Sequence, residues 1–284
     1  MRYLKENSNL NIKEFLKLSQ LFKEKQWNDY GEYSNEIFNR FCDRLALFDN
    51  EQQALILDLT NRFIIIDDTL YLSTLINLFK ENEPFNREIA NEYKTWFFSP
   101  LLAPCNRQEE KSSKHLYYLT KSGKLKCDPY FINKNITHID SSKLNQLRLE
   151  ENQILILFDD YIGSGETAYS AVSDLVEHGV SKDKIIILAL ACQEKGIKYL
   201  HANNIKCYTN IVMRRGISDY YTHDQLDNAL AKMQAIEKVL RVIPKFTFGY
   251  NHTEALVKLI RTPNNTFPVY WLENDREKKA PFPR

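Results

Sequence analysis

Apolar residues recur every three or four positions through the first hundred residues: Phe15, Leu18, Leu21 and Phe22, then Ile37, Phe41, Leu45 and Phe48, then Leu55, Leu59, Phe63, Ile66 and Leu70. That spacing puts each set on one face of an α-helix and predicts a helical amino-terminal region over 1–98. Pro84, Ser99-Pro100 and Pro104 punctuate it, so a boundary is expected near residue 98. Beyond it the pattern changes. Short apolar runs at 116–119, 154–158, 185–191 and 208–213 read as strands, and 166–178 and 195–202 between them read as helices. Strand and helix in alternation predict an α/β fold over 99–284, a parallel sheet flanked by helices. The runs at 154 and 185 lack polar alternation, as strands covered on both faces do. Helices are expected at 223–241 and 253–261, an edge strand at 267–272 after Pro268, and a charged, solvated tail at 273–284.

Composition narrows the class. With 284 residues, 43% hydrophobic and 12% aromatic, the chain can bury a core large enough to offset the entropy of ordering. Thirty-eight Lys+Arg against 37 Asp+Glu leave a net charge of +1, so any binding to nucleic acid must come from local patches such as Lys121, Lys124 and Lys126, or Lys278 and Lys279. Five cysteines with no CxxC and no zinc-site spacing fit a reduced, cytoplasmic setting. No leader pattern is seen at the amino terminus, and no run approaches the roughly 20 apolar residues that span a bilayer, so no membrane partner is expected. The sequons at Asn135, Asn251 and Asn264 read as chance in that setting.

The chemistry concentrates in one stretch. Ile154-Leu155-Ile156-Leu157-Phe158 ends in Asp159-Asp160, passes Tyr161 and Ile162, and enters Gly163-Ser164-Gly165-Glu166-Thr167 at the start of a helix. In an open α/β sheet this is the carboxyl end of a strand, where ligands bind. Successive amides of residues 163–167, with the positive end of the following helix dipole, suit a phosphate. Two carboxylates suit hydroxyls, which donate to them, or a hydrated Mg²⁺. A phosphate on one side and a diol on the other describe a ribose 5-phosphate. The dinucleotide fingerprint fails here on spacing, because two acids stand between the strand and the first glycine. A similar run, Phe63-Ile64-Ile65-Ile66-Asp67-Asp68, has no glycine after it and is expected to lie on a helix with a structural role.

This stretch resembles the signature of the type I phosphoribosyltransferases, which bind phosphoribosyl pyrophosphate (PRPP). The resemblance implies that Asp159 and Asp160 contact the ribose hydroxyls, directly or through Mg²⁺, and carry the catalytic role. It also implies that Gly163, Ser164, Gly165, Glu166 and Thr167 enclose the 5-phosphate, with Tyr161 and Ile162 among the substrate-binding residues. The sequence departs at Gly163, where Thr is common, and at Glu166, where a small residue is common; Glu166 opposes a phosphate unless its side chain points away. The resemblance further implies a pyrophosphate loop after an earlier strand, for which Lys111-Ser112-Ser113-Lys114 is the candidate; a solvated loop is the other reading. Arg214 or Arg215 can bind phosphate, and Tyr220 or Tyr221 can stack on a base, or the segment is a surface turn with packing tyrosines. Phe246, Phe248-Gly249-Tyr250 and the loop 261–268 are read likewise as base-recognition or structural segments.

With these segments together, the chain is similar to phosphoribosyltransferase-like proteins of bacterial conflict systems encoded beside retron reverse transcriptases. That implies an anti-phage effector, with PRPP as ligand and a reverse transcriptase and its RNA–DNA product as partners. Two roles are open: glycosyl transfer or hydrolysis at ribose C1, or a catalytically inactive ribose-phosphate-binding subunit. Trp27 and Tyr30 are expected on the surface of the helical region as interface residues.

Overall fold

The computed structural model describes residues 10–27, 32–107, 109, 111–273 and 279–284. In chain order the main elements are α1 (Ile12–Glu24), α2 (Glu32–Leu45), α3 (Asn50–Asn61), β1 (Ile64–Ile65), α4 (Asp68–Glu81), β2 (Thr95–Pro100), α5 (Ser112–Leu119) and β3 (Asn135–His138). Then follow β4 (Gln153–Ile162), α6 (Glu166–Glu177), β5 (Ile185–Gln193), α7 (Glu194–Ala202), β6 (Lys206–Tyr208), β7 (Val212–Met213), α8 (Asp224–Val239) and β8 (Val257–Lys258). Contacts divide the chain into two units: residues 66–214 form one, and residues 1–65 with 215–284 form the other. Residue 98, where the proline pattern suggested a boundary, lies inside β2 and within the first of these.

The 66–214 unit is an α/β layer structure on a parallel sheet. Its strands run in the order β3-β2-β4-β5-β6, with β7 also paired to β5, and every pairing is parallel. Alternation sorts the residues of β4 onto two faces. Ile154, Ile156 and Phe158 share one parity, and Phe158 meets Phe98 and Phe79 of α4, which also stacks on Trp96 at 5.8 Å. Leu155 and Leu157 join the opposite layer with Ala168, Ala171, Val172 and Leu175 of α6 and Leu200 of α7. All nine residues of β5 are buried, as its unbroken apolar run requires.

The other unit is mainly helical and owes its core to residues far apart in sequence. Leu18, Phe22, Phe41, Leu45, Leu59 and Phe63 pack with Met233 and Ile236 of α8 and with Phe267, Tyr270 and Phe282. Asp49 closes a capping box with Gln52 at the start of α3. Arg44 is buried, donates to the Leu272 and Lys279 carbonyls, and is pulled down to about 10 by burial.

Several local expectations are corrected. Residues 116–119 are helical: Ser113, Leu116 and Thr120 are buried at helical spacing while Tyr118 is 70% exposed. The pattern from Leu55 to Leu70 is broken rather than continuous. Ile64 and Ile65 pair in parallel with Val257 and Lys258, and Asp67 caps α4 through the Thr69 amide. Residues 253–261 contain β8 instead of a helix, and 267–272 contain a 3₁₀ turn at Pro268–Tyr270 instead of an edge strand. Trp27 is buried among Phe22, Phe41, Phe63 and Phe282, so it serves the core and not an interface; Tyr30 lies outside the described residues. The tail is docked: Ala280 and Phe282 are buried, and the Phe282 amide donates to the Tyr270 carbonyl. Phe282→Ala is therefore expected to lower stability by about 3 kcal/mol, as for other buried aromatics. A denaturation midpoint unchanged from the parent would show the tail to be dispensable.

Candidate functional site

At the carboxyl edge of the parallel sheet, β4 runs past its neighbour β2. β2 pairs only as far as Pro100 opposite Phe158, whereas β4 stays in register with β5 through Asp159, Tyr161 and Ile162. The two acids therefore sit where one neighbouring strand has ended, still within a regular strand. Adjacent strand residues point to opposite faces. Asp160 is buried and both its oxygens are engaged: Ser112 Oγ donates to Oδ1 at 2.6 Å and the Tyr71 hydroxyl to Oδ2 at 3.1 Å. Asp159 is only partly buried, and its Oδ1 accepts from the Asp160 amide at 2.9 Å. Burial, then the Asp160 charge, raises the Asp159 carboxyl well above the usual carboxylate range. Burial also raises Asp160, against the hydrogen bonds from Ser112 and Tyr71 that favour its charged form.

After Ile162 the chain turns through Gly163 and Ser164 to Gly165, which occupies the left-handed region at φ 86° and forms the amino-terminal cap of α6. No side chain caps that helix end, and Ser164 Oγ is 3.5 Å from the Glu166 amide. A helix start of twelve residues with uncapped amides is suited to an anion. Glu166 and Thr167 are exposed, Ser164 half-buried, and Gly163 and Gly165 buried. Tyr161 is buried with no hydrogen-bond partner for its hydroxyl among the described residues, and Ile162 packs in the layer with α6. The loop rests on α7. A Cβ at Gly196 would stand 2.3 Å from the Gly163 carbonyl oxygen, and one at Gly165 would stand 3.0 Å from Tyr199 Cδ1 and 3.1 Å from the Gly196 carbonyl oxygen.

The remaining candidates divide. Ser112 brings the 111–114 segment to Asp160, at the start of α5 and downstream of β2. Lys111 is held by Glu109 at 2.5 Å, Ser113 is buried with an unpartnered hydroxyl among the described residues, and Lys114 is half-buried. Arg214 follows β7 and stands 4.0 Å from Glu194 at the start of α7. Arg215 belongs to the other unit, where its backbone and guanidinium are both bound by Asp219. In that unit Tyr220 lies under Arg62 at 4.4 Å and the Tyr221 hydroxyl donates to Asp58. Tyr71 was missed because nothing in α4 distinguishes it from a core aromatic. Gly196 carried a signal, as one of eight glycines and inside a helical pattern.

A cation gains limited help from the chain alone. No group of three or more His, Cys, Asp or Glu converges among the described residues, and Asp160 is already occupied. Asp159 is left as a single available carboxylate, which suits Mg²⁺ only as one ligand among several, since that ion usually keeps waters and one or two carboxylates.

No curated protein matches the chain. Among solved structures it is similar to an APRTase from Giardia lamblia complexed with 9-deazaadenine, at 16% identity over 50% of this chain and 82% of that one, with a TM-score of 0.31. The PRTase-CE family model matches residues 39–284, a span that includes the β4–α6 loop, both acids and the docked tail. The chain therefore belongs to the PRTase-CE family and is a phosphoribosyltransferase-like protein.

Proposed function

We propose that the β4–α6 edge binds PRPP and promotes displacement of pyrophosphate at ribose C1, by a base-type acceptor or by water. The observation that carries this reading is the uncapped start of α6, opened by left-handed Gly165, a few residues beyond Asp159 on the same strand. The 5-phosphate accepts from the first-turn amides, and Asp159 accepts from a ribose hydroxyl. Asp160, held by Tyr71 and Ser112, fixes the strand end and joins it to the 111–114 segment, where Lys114 meets the departing pyrophosphate. Positive charge that develops on the ring is stabilised by the carboxylates, with no covalent nucleophile. Asp159 would hold a Mg²⁺ ion in part, and such an ion would supply neutralisation of charge on the leaving group.

Binding without turnover is the second reading. It is favoured by the pairing of Lys111 with Glu109, which occupies one of two cations in the segment proposed to receive pyrophosphate. Calorimetry with PRPP and with ribose 5-phosphate, each with and without Mg²⁺, tests both. The parent is expected to bind both ligands, and Asp159→Asn with Asp160→Asn to weaken them by roughly tenfold or more, the loss typical of charge-assisted hydrogen bonds. Equal affinity in the double variant removes the site. Release of pyrophosphate from PRPP separates the enzyme from the binder.

The setting beside a reverse transcriptase is a further proposal, supported by the sequence resemblance. Exposed Lys121, Lys124 and Lys126 are the basic segment it would use; Lys279 stands 3.6 Å from Glu36, and Lys278 lies outside the described residues.

A further inference from the structure

Between Glu237 and Glu254 the chain carries no acid, while Lys238, Arg241, Lys245 and His252 make the stretch basic. Its backbone is strained. Phe248, Gly249, Asn251, His252 and Glu254 all have φ between 50° and 76°, a region that few residues other than glycine and asparagine adopt without cost. Such a run persists only where its surroundings hold it. Buried Glu237 of α8 accepts from the Phe248 amide at 2.8 Å, and buried Glu254 accepts from the Ile217 and Ser218 amides at 2.8 and 2.7 Å. The Tyr250 amide donates to the Asn264 carbonyl and the Glu254 amide to the Phe248 carbonyl, each at 2.8 Å. A Cβ at Gly249 would stand 1.9 Å from the Asn265 carbonyl oxygen, so the turn lies directly on the 264–265 backbone.

Both flanking acids are thus spent inside the fold, and the turn between them displays rings and cations. Phe246, Phe248 and Tyr250 are half-buried, and Lys245 and His252 are exposed. The Lys245 ammonium stands 5.8 Å from the centre of the Phe246 ring and 5.6 Å from that of Tyr250, and the His252 ring lies 5.9 Å from Phe248. Phe246 is set edge-on against Trp271 at 5.5 Å, and Trp271 Nε1 donates to the Thr266 carbonyl at 2.7 Å. Among the described residues no carboxylate lies within ion-pair distance of Lys245 or His252. Rings held in place before a ligand arrives spare it the cost of ordering them. Half-exposed rings beside a cation offer stacking to a base and charge to its phosphate. A free nucleotide needs a cavity that encloses it, whereas a strand binds along an open row of rings, which is what an exposed turn presents.

We propose that the 245–252 turn is a stacking platform for single-stranded nucleic acid, with bases on Phe246 and Tyr250 and a backbone phosphate at Lys245. The turn belongs to the other unit than the β4–α6 loop, so this inference does not rest on the ribose-phosphate reading.

The test uses the full chain and a labelled oligothymidylate, read by fluorescence anisotropy at low salt with and without ribose 5-phosphate. Tyr250→Leu and Phe246→Leu are each expected to weaken binding by roughly tenfold, as the loss of one stacked base does. Tyr250→Phe should bind like the parent, because the ring face remains. Lys245→Gln should reduce the slope of log affinity against log salt by about 0.7, the share of one phosphate on a single strand. Thermal melting checks that the variants stay folded, and if leucine unfolds the chain the Lys245 slope decides. No binding by the parent, an unchanged slope in Lys245→Gln, or parent-like affinity in a folded Tyr250→Leu would remove the platform. Thymidine monophosphate bound as tightly as the strand would make a single nucleotide the ligand and overturn the proposal. Binding that requires ribose 5-phosphate would do the same, by assigning the base to the β4–α6 site.

Discussion

Asp159→Asn is expected to make the protein more stable while it loses ribose-phosphate binding. Both acids at the end of β4 hold their protons more tightly in the folded chain than in the unfolded one, Asp159 because of burial and then the Asp160 charge, Asp160 because of burial. The native state therefore binds more protons than the unfolded state from about pH 4, where ordinary carboxyls titrate, up to the raised values. Stability falls as pH rises through that window. Asparagine at 159 removes the ionisation and its repulsion with Asp160, and its side-chain oxygen can still accept from the Asp160 amide. A gain of about 1 kcal/mol near neutral pH is expected, of the size seen when an unfavourable buried charge is relieved. The gain should vanish toward acid pH, where the parent carboxyl is protonated as well. Melting temperatures of parent and variant across pH decide the matter. A variant that is destabilised at neutral pH would mean that Asp159 is a structural ligand and not a strained functional one.

The second large effect is expected at Gly165. Valine there must adopt φ 86°, which costs a β-branched residue about 1–3 kcal/mol, and its Cβ meets Tyr199 and the Gly196 carbonyl at about van der Waals overlap. The loop has to move, and the amides at the start of α6 move with it. Phosphate affinity should fall by roughly tenfold for each charge-assisted hydrogen bond lost. Gly165→Asn keeps the protein available for the test if valine unfolds it, because asparagine tolerates the left-handed region. Asparagine still places a Cβ against α7, so it too should bind PRPP more weakly. Parent-like affinity in the asparagine variant would show that the loop does not approach the phosphate closely.

What the sequence determined by itself is what local pattern encodes. Residues 154–158 and 185–191 could only be buried strands once their apolar runs ended in acids and in a helix start. Gly163-Ser164-Gly165 fixed the turn between strand and helix, because a left-handed residue at a helix start leaves few other choices. The helical periodicity of residues 12–24 and 224–239 is similarly local. Elements whose identity depends on partners were not legible. Ser99-Pro100 looked like punctuation ahead of a new region, yet it closes β2, which lies between β3 and β4, and the proline falls at the strand end. Ile64 and Ile65 leave a helical pattern because Val257 and Lys258, almost two hundred residues on, offer backbone partners.

Residues 279–284 are charged and proline-bearing in sequence, and only the aromatic cavity around Trp27, Phe41 and Phe63 makes Phe282 a core residue. The site shows the same division. Sequence could name Asp159, Asp160 and Ser112, but only the packing of α4 and α5 against β4 decides that Asp160 is bound by Tyr71 and Ser112 while Asp159 is left for a ligand. Hydrogen-bond partners of a buried carboxylate are chosen by the tertiary fold, because the cost of leaving it unsatisfied is felt only where water has been excluded.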